Sequence, residues 1–467
     1  MTPAMQAWPP RTDSAPRLLL AAALVLGSSV LGACGRDSQE PLDRAILILL
    51  DTARPDRMSL YGHDRPTTPE LERLAERAVV FEQAISHAPW TLPSMASILS
   101  GSPARAVFDR RLLRSEVQSL RNAGFRTAAV TEGGYLSSFY GFDLGFDVYY
   151  EERAIDALDD PDDGSRGIAH TFRLAREWID AHRDDRFFLL IHTYEPHIPY
   201  QRRSFAQGMD PGSLGPTFEI EDFHAVRNGE IELTDAELAY LGALYDGGLL
   251  EADRHVGALL DHLEAIGLLG STLLVLTSDH GEELGNHYRS RAGDHGHSLL
   301  DDELRVPLVI AHPSADIVPH RVTQQVLSID IMPTILEFLG VEPHPRVHGR
   351  SLAPLMRGEA VEPRAAFGAS PHSGPDRASI RYAGFKYVEI IGPVLGKQPL
   401  RPLPPPAQLY DLMADPDELQ NLALQRPELV ERFGAMLASD GSAGAITAIE
   451  AVDDTLRQRL EALGYVE

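Results

Sequence analysis

Cysteine is nearly absent. The 467-residue chain has one, Cys34, so no disulfide can form within it and no cysteine metal cluster can be built. Lysine is almost as scarce. Lys386 and Lys397 are the only two, and arginine supplies the other basic side chains. Positive charge is short overall: 42 basic residues stand against 68 acidic ones, a formal net charge of −26. That excludes nonspecific binding to nucleic acid or to an anionic membrane surface. Long apolar runs are scarce too. The one that stands out, residues 18–33 after Arg11 and Arg17, is too short for a comfortable membrane span and ends in small residues, as a secretory signal does. The L-G-A-C that closes at Cys34 is similar to the bacterial lipoprotein signal, whose cysteine becomes the lipidated first residue. The other readings are an ordinary cleaved signal or an uncleaved anchor. All three place the body of the protein outside the cytoplasm, in a bacterial cell envelope or secreted, with Cys34 carrying a membrane anchor in the first.

What remains is an ordinary globular composition, 43% hydrophobic and 24% charged. Its organising stretches are Ala45–Leu50, ending in Asp51, and T-L-L-V-L-T-S-D-H from Thr272, ending in Asp279 and His280. Each is a short apolar run with a carboxylate at its tip, the pattern of a buried parallel strand that delivers a ligand to the sheet's C-terminal edge. Between them, P-W-T-L-P-S-M-A-S-I-L-S-G over residues 89–101 reads as a polar turn entering a helix, with Thr91 as the reacting group. Further strands are expected at 79–85, 126–130, 186–192 and 305–311. Helices are expected at 67–78, 170–181, 236–263 and 328–339. The segment 203–232 has the length and composition of a lid or specificity loop. Alternation of strand and helix from 45 to about 340 implies a doubly wound α/β domain with a mainly parallel sheet. Past Pro343 short strands follow one another without long helices, which implies a smaller C-terminal α+β subdomain. The expected organisation is a signal at 1–33, a tether at 34–43, a catalytic domain at 44–345, the subdomain at 346–440 (with 418–423 and 427–437 helical) and a helical tail at 441–467.

Asp51, Thr91, Asp279 and His280 offer three oxygens and a nitrogen. That set suits one divalent ion, zinc or manganese in preference to calcium. A metal on the Thr91 hydroxyl would make it a nucleophile at neutral pH and polarise a phosphoryl or sulfuryl oxygen. His197, in a turn after a buried strand, and His295 and His297, just before another, are candidates to stabilise developing charge or protonate the leaving oxygen. His287 lies in the same loop and ranks lower. H-G-E-E-L-G-N-H over 280–287 is not the zinc-protease pattern, because its spacing and order differ.

These motifs together resemble the sulfatase family of the alkaline phosphatase superfamily, over residues 44–425. L-D-T-A-R-P-D at 50–56 is similar to the family's metal-binding first strand. T-L-P-S-M-A-S-I-L-S-G at 91–101 is similar to the signature C-x-P-S-R-A-S-x-L-T-G, S-D-H-G-E-E-L-G at 278–285 to the second metal motif, and L-R-V-P-L-V-I at 304–310 and the run at 409–423 complete the match. The resemblance implies an alkaline phosphatase/sulfatase-like fold and ester cleavage. It also exposes departures. The family's cysteine or serine, oxidised to formylglycine, is here Thr91, which cannot give the aldehyde. The signature arginine is Met95, the second aspartate of the first motif is Thr52, the usual asparagine is His280, and T-E-G-G-Y-L at 131–136 replaces the lysine-bearing segment that grips sulfate. Threonine with an Asp-His pair looks more like the phospho-transferring branches: phosphoglycerol transferases, phosphoethanolamine transferases and nucleotide pyrophosphatases. Dinuclear members place an aspartate where this chain has Thr193, so one metal site is implied there. The reading is a hydrolase or transferase of phosphate esters, on a small-molecule, glycan or lipid ester. The alternatives are sulfate-ester hydrolysis without formylglycine, and a degenerate envelope protein that binds anionic glycans or headgroups.

Overall fold

The structure is a computed structural model. It describes residues 40–109, 111–151, 167–369, 372–395 and 404–440, with 457, 458, 460 and 461. The expected signal, Cys34, the acidic loop near 155–166 and most of the tail lie outside the described residues.

Fifteen strands are present among them: β1 (Arg44–Leu50), β2 (Val79–Ile85), β3 (Phe108–Asp109), β4 (Arg111–Leu112), β5 (Arg126–Val130), β6 (Val148–Tyr150), β7 (Phe187–Thr193), β8 (Leu273–Thr277), β9 (Arg305–Ala311), β10 (His320–Val322), β11 (Val326–Leu327), β12 (Ala366–Ala369), β13 (Gly374–Tyr382), β14 (Phe385–Leu395) and β15 (Ala407–Asp411). The central sheet runs β10-β2-β9-β8-β1-β7-β5-β6, with β11 beside β2. Its pairs are parallel except at β9, which is antiparallel to both neighbours. The expectation of a mainly parallel sheet is met.

β1 shows why the sheet is central. Ala45, Leu47 and Leu49 face one core cluster; Ile46, Ile48 and Leu50 face the other. A strand buried on both faces reads as a continuous apolar run rather than an alternating one. Helices α1 (Pro69–Ala75), α4 (Gly167–Ala181) and α6 (Asp235–Ala265) supply residues to one layer. Helices α2 (Thr91–Ser100), α3 (Val117–Asn122), α8 (Ile331–Phe338) and α9 (Ala353–Met356) supply the other, and the short α7 (Asp301–Leu304) leads into β9. Helix α5 (Ile220–Arg227) lies inside the segment read from sequence as irregular. Its start carries a reciprocal Glu219–Asp222 capping box, a signal that the segment's Gly/Pro content masks.

Two further corrections have local causes. The helix expected over 67–78 spans Pro69–Ala75, and the hydroxyl of Thr68 just before it serves the neighbouring turn, accepting from Leu60 N at 3.1 Å. The orphan N–H groups of α1 are met instead by Asp253 of α6, which takes Glu70 N at 2.8 Å and Leu71 N at 2.9 Å. Residues 418–423, expected to be helical, run irregularly between turns at 416–417 and 423–425, with Glu418 at φ 53°. The C-terminal part is a four-stranded antiparallel sheet, β12-β13-β14-β15, against which α10 (Pro427–Asp440) packs through Phe433 and Leu437.

Candidate active site

Five strands end or begin at one edge of the sheet, and their tips build the site. Asp51 follows β1, and its backbone N–H bonds Thr193 O of the neighbouring β7 at 3.0 Å. Ser278, Asp279 and His280 follow β8. The turn after β2 leads to Thr91, the first residue of α2, and His295 arrives on the loop before β9. Two serines fix the mutual placement. Ser94 Oγ donates to Asp279 O at 2.5 Å, tying α2 to the tip of β8. Ser278 Oγ accepts Ala53 N at 3.0 Å and donates to His280 O at 2.6 Å, tying the tips of β1 and β8. Met95, where the signature has arginine, is fully buried in the core beneath α2.

The structure brings together the four residues that the sequence singled out. Thr91 Oγ1 lies 3.4 Å from Asp51 Oδ2 and 3.3 Å from His280 Nε2. His280 Nε2 is 3.4 Å from Asp279 Oδ2 and 3.8 Å from Asp51 Oδ1. His280 Nδ1 donates to Gly281 O at 2.8 Å, which leaves the Nε2 lone pair facing the carboxylates. All four residues are 0% exposed. Asp51 Oδ1 and Asp279 Oδ2 are buried oxygens without a hydrogen-bond partner among the described residues. Burial, then Asp279, pushes the Asp51 carboxyl well above the usual range. Two orphaned carboxylate oxygens beside an imidazole lone pair and a hydroxyl are the chemistry of a cation site, so the residues fit a divalent ion.

Sequence reasoning missed two contributors. His192, on β7, reaches Asp51 Oδ2 with Nε2 at 3.0 Å, and Asp51, His192 and Asp279 form a set close enough to hold a metal. The signal was a histidine inside an otherwise apolar strand. What spacing did not show is that β7 lies directly beside β1, pairing Leu49 with His192. The other is Glu282, fully buried, which accepts from Tyr200 Oη at 2.9 Å and lies 2.9 Å from His295 Nδ1. Burial raises Glu282 to about 8 and lowers His295 to about 4. Read together, the pair holds a single proton through the neutral range.

The His295 ring lies tilted against His280, with centroids 4.5 Å apart, and 5.0 Å from His197, so both rings border the cluster. His197 Nδ1 donates to Ile198 O at 2.8 Å. His297 goes elsewhere. Its Nε2 lies 3.3 Å from Glu303 Oε1 and its ring meets Tyr288 at 5.6 Å. The reason is local: Glu303 Oε2 gathers the N–H groups of Gly296, His297 and Ser298, which holds the loop so that alternate side chains diverge. His297 is therefore set aside as a catalytic candidate. A Glu282→Gln protein is expected to lose about 10–100-fold in kcat with KM little changed, because Glu282 acts on His295 rather than on substrate. Steady-state kinetics on any turned-over ester check this, and a change confined to KM would count against it.

A three-layer α/β protein with an acid-histidine cluster around a buried threonine, at the C-terminal edge of a mainly parallel sheet, defines the class: a metal-type ester-cleaving α/β fold. The comparisons make this specific. The family model described as Sulfatase matches residues 44–341, and the chain belongs to the sulfatase family. It is similar to a choline-sulfatase of Rhizobium meliloti, 27% identical over 417 residues, covering 76% of this chain and 77% of that protein. It is similar also to an N-acetylglucosamine-6-O-sulfatase of Bacteroides thetaiotaomicron, 24% identical over 495 residues, covering 85% and 86%. The match to Arylsulfatase K of Xenopus laevis, 29% identical, spans 54% of this chain and 46% of that protein. Among solved structures, a phosphonate monoester hydrolase of Agrobacterium radiobacter superposes with a TM-score of 0.68 at 21% identity, covering 86% of this chain and 95% of the other. The fold is thus the alkaline phosphatase/sulfatase-like one.

Proposed function

We propose that the chain is a metal-dependent ester hydrolase or transferase that attacks a tetrahedral phosphate-type ester with Thr91. The observation that carries this reading is the meeting of Thr91 with Asp51, Asp279 and His280 in one buried cluster. Asp51, Asp279, His280 and Thr91 would hold one divalent ion, zinc or manganese in preference to calcium, with His192 as a further donor. That ion, when bound, supplies Lewis-acid polarisation and neutralises charge on the transferring group. Thr91 Oγ1 forms the new bond to phosphorus, and its proton passes toward Asp51 Oδ2, at 3.4 Å. The ester oxygen leaves as that bond breaks. It takes a proton from the His295–Glu282 pair, with His197 beside it. Water or an acceptor alcohol then displaces Thr91 and returns its proton. Thr91 is also the first residue of α2, and the N-terminal end of a helix favours an anion.

A second reading, sulfate-ester hydrolysis, is favoured by the names of the relatives, a choline-sulfatase and an N-acetylglucosamine-6-O-sulfatase. The scarcity of lysine argues against it: Lys386 lies in the second sheet, bonded to Asp301 at 2.7 Å, away from Thr91's neighbours. Hydrolysis of p-nitrophenyl sulfate, p-nitrophenyl phosphate and a p-nitrophenyl phosphodiester, with zinc or manganese and with chelator, separates the two. Metal-dependent cleavage of the phosphorus esters in excess of the sulfate is expected. Preference for sulfate replaces the substrate class. Absence of turnover on all three, with an ion bound, favours a binding protein for anionic esters. The expected extracytoplasmic location and lipid anchor belong to this proposal and rest on the 18–34 segment alone.

A further inference from the structure

A second group of metal-type donors lies in the loop after His280. Glu283, His287 and Asp302 each offer an atom, and these atoms lie within 4.8 Å of one another. His287 Nδ1 is 3.2 Å from Asp302 Oδ2 and 3.7 Å from Glu283 Oε2. Ligands around a zinc at about 2.0 Å stand roughly 3.3 Å apart, so these separations need little adjustment.

The surroundings hold each donor in place through its other atom. His287 Nε2 lies 2.9 Å from Asp417 O, a backbone acceptor that fixes a proton on Nε2 and turns Nδ1 toward the two acids. Glu283 Oε1 accepts from Gly285 N at 2.7 Å and His287 N at 3.3 Å, so Oε2 is the oxygen presented to the histidine. Asp302 Oδ1 accepts from Arg54 Nη2 at 2.6 Å, and Asn286 Nδ2 steadies Oδ2 at 3.1 Å. Ligands with their second atoms anchored by the protein are the mark of a built metal site.

Charge points the same way. Glu283 is 1% exposed and Asp302 17%. Asp302 pairs with Arg54, a guanidinium it shares with Asp56 at 2.8 Å. Burial opposes charge on the half-buried His287, but Asp302 and Glu283 raise it to about 10, so a bound ion takes the place of the proton these two carboxylates hold on Nδ1. A divalent ion neutralises them where a proton on His287 does so only in part.

We propose that Glu283, His287 and Asp302 bind a second divalent cation, of the zinc or manganese class, separate from the Thr91 site. Its role is structural. His287 is held by Asp417 of the C-terminal turn, and Asp301 N bonds Glu418 of that turn. An ion here clamps the turn onto the loop that carries Glu282 and His295. It does not rest on the reading of Thr91 as nucleophile.

The test is metal content of the full chain, loaded with zinc, passed through a desalting column and measured by mass spectrometry. The wild type is expected to keep two ions, Asp279→Asn one, and both His287→Asn and Glu283→Gln one. Chelator is expected to lower the melting temperature of wild type and Asp279→Asn, and to affect His287→Asn less. Two loop variants are used so that misfolding of one does not decide the matter. A single ion that survives both loop substitutions and is lost in Asp279→Asn overturns the proposal. A single ion lost in the loop variants and kept in Asp279→Asn upholds it and removes the ion from the Thr91 reading. A protein that keeps none overturns both.

Discussion

Thr91→Ala is expected to remove at least about a thousandfold of turnover while leaving substrate binding and the fold in place. The expectation follows from position rather than residue type. Thr91 begins a helix whose ten residues are all buried, so its backbone is fixed by Leu92, Met95, Ala96 and Leu99 in the core and does not depend on its own hydroxyl. Deleting Oγ1 takes away the atom that lies between Asp51 and His280 and changes little else. Thr91→Ser keeps that oxygen and is expected to retain activity within about tenfold, the loss coming from the freer rotamer of serine. Thr91→Cys offers sulfur in its place and separates a nucleophile from a mere hydrogen-bond donor. If Thr91→Ala turns over esters at the wild-type rate, threonine chemistry is excluded and a water-attack mechanism takes its place.

The second large effect is an opposition between stability and activity at Asp51. In the metal-stripped protein this carboxylate is wholly buried beside Asp279, and burial raises its pKa well above the ordinary value. A raised carboxyl in the folded state binds its proton more tightly than the unfolded chain does. The stability it contributes is present below about pH 4 and is lost as pH rises through the folded value. Asp51→Asn cannot ionise. It is expected to stabilise the metal-free protein at pH 7 by about 1–3 kcal/mol and to flatten the pH dependence, while abolishing turnover and lowering metal retention. Urea unfolding at pH 5 and pH 8, with chelator, measures it. A destabilised, active Asp51→Asn protein would mean that this residue is a structural cap rather than a ligand.

Much of this site could be read from the chain because its residues sit at breaks in pattern. Asp51 and Asp279 end apolar runs, and Thr91 sits where a turn meets a helix; each is marked by its own neighbours in sequence. His192 and Glu282 were not legible for the opposite reason. His192 matters because β7 pairs with β1, and Glu282 because Tyr200 and His295 converge on it, and no local spacing encodes either neighbour. His297 shows the limit from the other side. It shares a motif with His295, yet one residue of separation and the grip of Glu303 on the backbone send it to a different environment. The strands at 45–50, 187–193, 273–277 and 305–311 were legible to within a residue or two because all are buried on both faces. The capping box that starts α5 was overlooked among glycines and prolines, and the short β15 was hidden behind a proline-rich run.

The single reversed strand, β9, has a consequence for how this fold can change. Because β9 runs against β8, the chain leaves the sheet after Thr277 and re-enters it at Arg305 on the same edge. The two ends of the excursion are stitched together where Gly281 N meets Glu303 O at 2.9 Å and Glu282 N meets Asp302 O at 3.0 Å. Everything between is an inset with a closed neck. Lengthening such an inset costs only the slow logarithmic growth of loop-closure entropy, since the neck already fixes its ends. The exposed Asn286 and Arg289 mark where that inset can be extended without rewiring the sheet or displacing Asp279, while 291–300, buried throughout and carrying His295, stays in place. Descendants of this scaffold would be expected to diversify their chemistry there first, leaving the strand order as it is.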